Sequence, residues 1–152
     1  MEITFRNTSL ERIAAFRNLK IDYDQDLGWA WINLEVDISY SIFSVKRIIE
    51  TQDNDFRYFL NSLIKLNEGV IKRAHFSHLD GYLQMEVCRD HPSKQMYLGD
   101  DNTCFIIFSI HDDMCEGNFQ FVQVIDRGNI SDLINQFENL LSETKKHYED
   151  KD

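Results

Sequence analysis

The stretch "DYDQDLGWAW", from Asp22 to Trp31, sets three aspartates at alternate positions ahead of two tryptophans at alternate positions. Asp22, Asp24 and Asp26 copy the first ligand positions of a calcium loop, where carboxylates at every second place converge on one hard cation. The rest of such a loop is missing. The glycine needed at Leu27 comes one residue late at Gly28, the bidentate glutamate of the last position is Asn33, and a strand pattern follows where a helix should. Calcium is therefore not the expected ligand.

Parity gives another account. If one strand ran unbroken from Asp22 to Ile38, the aspartates would share a face with Ala30, Ile32 and Leu34, and three carboxylates would be buried without partners at several kcal/mol each. The chain must break near Leu27 and Gly28. That turns the aspartates outward and leaves Trp29 and Trp31 on the face opposite the main apolar row. Two readings of the tryptophans stay open: packing under a helix behind a solvated turn, or anchors beside an acidic rim, as in many protein-binding patches.

Other residue groupings support chemistry less well. His75 and His78, three apart on a predicted strand, fall on opposite faces and read as surface histidines rather than a metal pair. "HDDMCE", from His111 to Glu116, gathers ligand-type side chains at a hairpin turn, but Asp and Glu are ordinary turn residues and no second ligand pair is spaced to meet them. The chain has no G-x-S-x-G elbow, no glycine-rich phosphate loop and no cysteine with a basic neighbour in a recognisable arrangement. The carboxylate pairs Asp100 with Asp101 and Asp112 with Asp113 sit at predicted turns, where neighbours in sequence diverge. No catalytic residue, metal or cofactor is expected.

The elements that must position these residues are legible in the apolar pattern. "EITF" opens as a short strand, and Ser9 to Ile21 suits either a helix or an edge strand. Ala30, Ile32, Leu34, Val36 and Ile38 mark the inner face of a half-buried strand expected to be central, with Glu35 and Asp37 on its other face. A turn near Ser41 begins another strand, to Ile49. "TQDNDFRYFLNSLIKLNEG" reads as a helix capped by Thr51 or Asp53 and stopped at Gly69. Strands follow over Val70 to Leu79, Tyr82 to Arg89, Gln95 to Leu98, Thr103 to His111 and Asn118 to Ile125. A last helix, capped by Asn129, presents Ile130, Leu133, Ile134, Phe137, Leu140 and Leu141. This order predicts an α+β fold: an antiparallel sheet of about six to seven strands with two amphipathic helices packed on it, in one domain over residues 1–152.

Composition bounds the function. A formal charge of −10, without a basic stripe, disfavours nucleic acid and favours basic partners. Three widely spaced cysteines suit reduced thiols. "MEITFRNTSLERIAAF" lacks the apolar core of a secretory signal, and no stretch approaches a membrane span, so a cytoplasmic location is expected.

In order and spacing, "EITF", "WINLEVDIS", "DNDFRYFLNSL", "AHFSHLDGYLQMEV", "CFIIFSI" and "ISDLINQFENLL" resemble the WapI-type immunity proteins of bacterial polymorphic and contact-dependent toxin systems. The likeness is one of strand and helix pattern, and it departs at "RDHPSK", where such proteins often carry a glycine-containing turn. It implies a small cytoplasmic protein without enzyme activity that binds and neutralises the toxin domain of its own system. Charge and exposure nominate the partner-binding residues: Asp22, Asp24, Asp26, Trp29, Trp31, Glu35, Asp37, Asp100, Asp101, Asp112 and Asp113. A non-catalytic ligand-binding or regulatory module would instead show an aromatic-lined pocket, and a metal-dependent hydrolase would bring His111 together with Asp112 or Cys115 and a ligand from a second strand.

Overall fold

The computed structural model describes residues 1–78, 80–89, 103–111 and 118–149, with side chains through residue 146. The predicted strand at Gln95 to Leu98 lies outside them. The fold is α+β, with eight strands among the described residues rather than six or seven, divided between two antiparallel sheets of four. A four-strand meander followed by a helix occurs twice. The first comprises β1 (Ile3–Arg6), β2 (Arg12–Asp24), β3 (Trp29–Tyr40), β4 (Phe43–Gln52) and α1 (Asp53–Asn67). The second comprises β5 (Arg73–Ser77), β6 (Leu83–Cys88), β7 (Thr103–His111), β8 (Asn118–Asp126) and α2 (Arg127–Glu149). Both sheets pair their strands in sequence order, so β3 is interior to its sheet, as its long apolar run predicts.

One apolar core draws on both sheets and both helices. Phe5 meets Phe16 at 4.9 Å and Phe108 of the second sheet at 5.2 Å between ring centroids. Phe56 of α1 reaches Phe76 at 5.3 Å and Phe137 of α2 at 5.4 Å. Each ring is fully buried, and burial of a side chain of this size contributes about 1.5–3 kcal/mol. The rings therefore tie the two meanders together. Around the core, polar groups close the sheet edges. Gln136 of α2 accepts the Thr4 N–H at 2.7 Å and donates to the Thr4 carbonyl at 2.9 Å, which occupies the free edge of β1.

The segment at Ser9 to Ile21 is strand, interrupted by a bulge. Arg17 lies opposite Glu35 and Lys20 opposite Asn33, so β2 carries one extra residue there, with Asn18 at φ +53°. Ala14 and Phe16 face the core before the bulge, opposite Ile38 and Val36; after it Ile21 and Tyr23 do so, opposite Ile32 and Ala30. The bulge reverses the strand's parity, and this is why the sequence fits neither a clean helix nor a clean alternation.

Two helix starts differ from expectation. Gln52 caps α1, while Asp55 accepts from both the Gln52 N–H and the Thr51 hydroxyl. For α2, Asp126 accepts the Asn129 N–H and Asn129 accepts the Asp126 N–H, each at 2.9 Å, so the reciprocal cap begins three residues before Asn129. His78 also departs from its predicted surface position. His78 follows Ala74 and Phe76 on the inward parity of β5 and is 3% exposed, its Nε2 donating to the Glu50 carbonyl and its ring stacking on Tyr82. Arg47 covers the Tyr82 ring at 3.9 Å, joining β4 to the second sheet. No helix among the described residues is long and apolar enough to cross a membrane.

Candidate functional site

The turn between β2 and β3 is built by Asp24. Its Oδ1 accepts the backbone N–H groups of Asp26 at 3.0 Å and Leu27 at 3.1 Å, and its carbonyl accepts that of Gly28 at 3.0 Å. An aspartate side chain that closes such a turn replaces backbone partners the loop lacks, and Gly28 at φ +70° supplies the left-handed step. The chain breaks where burial of the aspartates would otherwise have been required.

The register then sets the face. Asp22 lies directly opposite Trp31 and Asp24 opposite Trp29. Residues paired across an antiparallel ladder share a face, with Cβ atoms about 4.5–5.5 Å apart. This is the outward face, because the intervening Ala30 and Ile32 are buried. The bulge at Asn18 is what places Asp22 and Asp24 there; without its extra residue they would take the inward positions of Ile21 and Tyr23. Asp22 and Asp26 are exposed, and Asp24 is half-buried.

The tryptophans are half-buried and pack on one another, ring centroids 4.6 Å apart with the planes at 51°. The strand under them is held from behind. Asp53, buried in the first turn of α1, accepts the Ala30 N–H at 3.2 Å and pairs with Arg57 at 3.6 Å. Rigid strand and helix thus support the aromatic pair, which is a sounder base for recognition than a loop.

Farther along the same face Asn33 donates to Glu50 at 3.0 Å, and Glu35 is half-buried opposite Arg17 and Ile48. A shallow depression of about 490 Å³ lies here, lined by Asn18, Lys20, Asn33, Glu35 and Ile48 among others. Ile48 is 76% exposed at its rim. Neither the depression nor the exposed Ile48 was predicted; the signal for the first was the parity change between Phe16 and Leu19, and for the second the alternation of β4, which sets Val45 and Ile49 on one face and Ile48 on the other.

Asp37 corrects the candidate set. It is 3% exposed, and its Oδ2 lies 3.2 Å from Arg17 and 3.7 Å from Arg12, with Glu2 completing the network at 3.6 Å from Arg17 and 4.0 Å from Arg12. Alternation placed Asp37 on the correct face but could not show two arginines of the neighbouring strand closing over it. It holds the sheet together rather than offering a free carboxylate. Asp100, Asp101, Asp112 and Asp113 lie outside the described residues. Among the described residues no group of three or more His, Cys, Asp or Glu is arranged to hold a metal ion. His111 sits at the end of β7 with its Nδ1 3.0 Å from Asn118 Oδ1.

The site is thus a ledge of two tryptophans faced by two aspartates, with a third aspartate at the turn and a mixed polar and apolar depression beyond. It has the makings of a contact surface. No known family profile matches the chain, and no curated protein matches it significantly. Among solved structures, MRP1/MRP2 of Trypanosoma bruciei is similar over 95% of this chain and 84% of that one, at 10% identity and a TM-score of 0.46. The plant transcriptional regulator PBF-2 is similar over 93% of this chain and 79% of that one, at 12% identity and a TM-score of 0.47. At these values neither likeness carries an argument about function.

Proposed function

We propose that this protein is a non-catalytic immunity protein of the cytoplasm, which binds and neutralises a basic toxin domain through the Trp29 and Trp31 ledge and its aspartates. The observation that carries the reading is the cross-strand pairing of Asp22 with Trp31 and Asp24 with Trp29 on the outward face. Aromatic anchors carry much of the energy of protein interfaces, while charges at their edge govern encounter more than residence. The chain's formal charge of −10 supports the same assignment, since such a field raises association with a basic partner toward ~10⁸ M⁻¹s⁻¹ at low salt, against about 10⁵–10⁶ M⁻¹s⁻¹ for unsteered docking. The resemblance to WapI-type immunity proteins supplies the kind of partner.

The test is to purify the C-terminal domain of the toxin encoded beside this chain's gene and mix it with the intact protein. A stoichiometric complex in which the toxin loses its activity is the expected result. The reading fails if no toxin is encoded there, or if the domain stays unbound and active.

A further inference from the structure

Resting on that reading, we infer that Trp29, Trp31 and Asp22 form a seat for a single arginine side chain on the partner's surface. Three observations converge. The indole planes meet at 51° with centroids 4.6 Å apart, so the pair presents an angled aromatic surface rather than one flat stack. Asp22 stands directly opposite Trp31 in the ladder and is exposed, and no turn hydrogen bond involves it, whereas Asp24 commits its Oδ1 to the turn. The surrounding charge is negative: Asp22, Asp24 and the exposed Glu50 stand against Lys20, the nearest cation on that face, which lies one ladder row away opposite Asn33.

Each feature selects for the same group. An indole face attracts a cation through its quadrupole, and tryptophan does so more strongly than other aromatic side chains. A carboxylate at the ring's edge supplies the counter-charge and accepts in-plane N–H donors. Arginine satisfies both together, because its planar guanidinium stacks on the ring while its fork donates to the carboxylate; the compact, strongly hydrated ammonium of lysine does this less well. Gln52, opposite Trp31 on β4, adds a neutral polar side chain rather than a competing cation.

The chain's only tryptophans are these two, so their indole N–H resonances report on the seat alone. The experiment titrates the intact protein with the blocked peptide acetyl-Gly-Arg-Gly-amide, and with its lysine and citrulline counterparts, and reads the indole and backbone amide resonances. The arginine peptide should shift both indole signals saturably in the millimolar range. The lysine peptide should bind more weakly and the citrulline peptide not at all. Asp22→Asn, an exposed and nearly isosteric change, should weaken the arginine response roughly tenfold while leaving the other amide resonances in place. Trp31→Phe, which keeps a smaller aromatic face, should fall between.

The absence of saturable indole shifts, or equal shifts from arginine and citrulline, would overturn the seat. No toxin enters this assay, so the two failures separate. A toxin footprint on this face without an arginine response refutes the seat alone, while an arginine response with the toxin docked elsewhere supports the seat and refutes the functional reading.

Discussion

Asp22 and Trp31 stand directly opposite one another on the outward face of the β2–β3 ladder, and their meeting depends on a single extra residue four positions before Asp22. The bulge at Asn18 is therefore part of the site. Deleting Asn18 would send Asp22 and Asp24 inward and Ile21 and Tyr23 outward, and the variant should fail to fold or lose several kcal/mol of stability. Asn18→Gly should stay within about 0.5 kcal/mol of the parent, and Asn18→Val should cost about 1–2 kcal/mol, because a β-branched side chain resists φ +53°. Urea denaturation of the three variants checks the order.

How much of this was legible follows from what alternation can see. The amphipathic runs around Phe56 and Phe137 and the apolar row from Ala30 to Ile38 read directly, because each depends only on spacing within one element. The break before Trp29 was legible because the alternative required burying carboxylates. The bulge was not, since apolar residues on both sides of it look like imperfect alternation, although the shift from Phe16 to Leu19 records the change. Asp37 and His78 were both expected to be accessible and are buried, for different reasons. Asp37 is buried by Arg12 and Arg17 on a neighbouring strand, which spacing within one segment does not encode, whereas His78 continues the inward row of Ala74 and Phe76, so its burial was legible in the alternation of its own strand.

Asp37 should separate structure from recognition. Asp37→Ala leaves Arg12 and Arg17 without their shared counter-ion, but both arginines keep access to water and to Glu2. The expected loss is about 1–3 kcal/mol, measured by denaturation. Affinity for the partner, measured where the variant is folded, should not change.

The reciprocal cap at the start of α2 gives a third prediction. Asp126→Ala removes the acceptor for the Asn129 N–H and should cost about 1 kcal/mol of stability. Asn129→Ala should cost more, because its side chain also donates to the buried Asn7 carbonyl at 3.2 Å. Thermal denaturation should rank the two in that order.

Cys104 makes stability depend on alkaline pH. Burial raises its thiol above the ordinary 9.0; the charges of Arg89 and Arg127 oppose this in part, and Asp126 adds to it. A thiol held protonated in the fold but free to ionise when unfolded contributes stability that is fully present below its unfolded pKa and is lost as pH rises through the folded one. Stability should therefore decline above about pH 9 more steeply in the parent than in Cys104→Ala, even if that variant is less stable throughout. Parallel urea curves across this range test the slope, and equal slopes would contradict it.

The most direct measurement is the kinetics of binding to the basic toxin domain at several salt concentrations. The variants are Asp22→Asn/Asp24→Asn/Asp26→Asn and Trp31→Ala, and asparagine at 24 retains the side-chain oxygen that closes the turn. The triple variant should associate more slowly and with a weaker salt dependence, its dissociation little changed. Trp31→Ala should dissociate faster and lose on the order of 2 kcal/mol of affinity. Unchanged association and dissociation in both variants, each still folded, would contradict the assignment of this ledge as the binding surface.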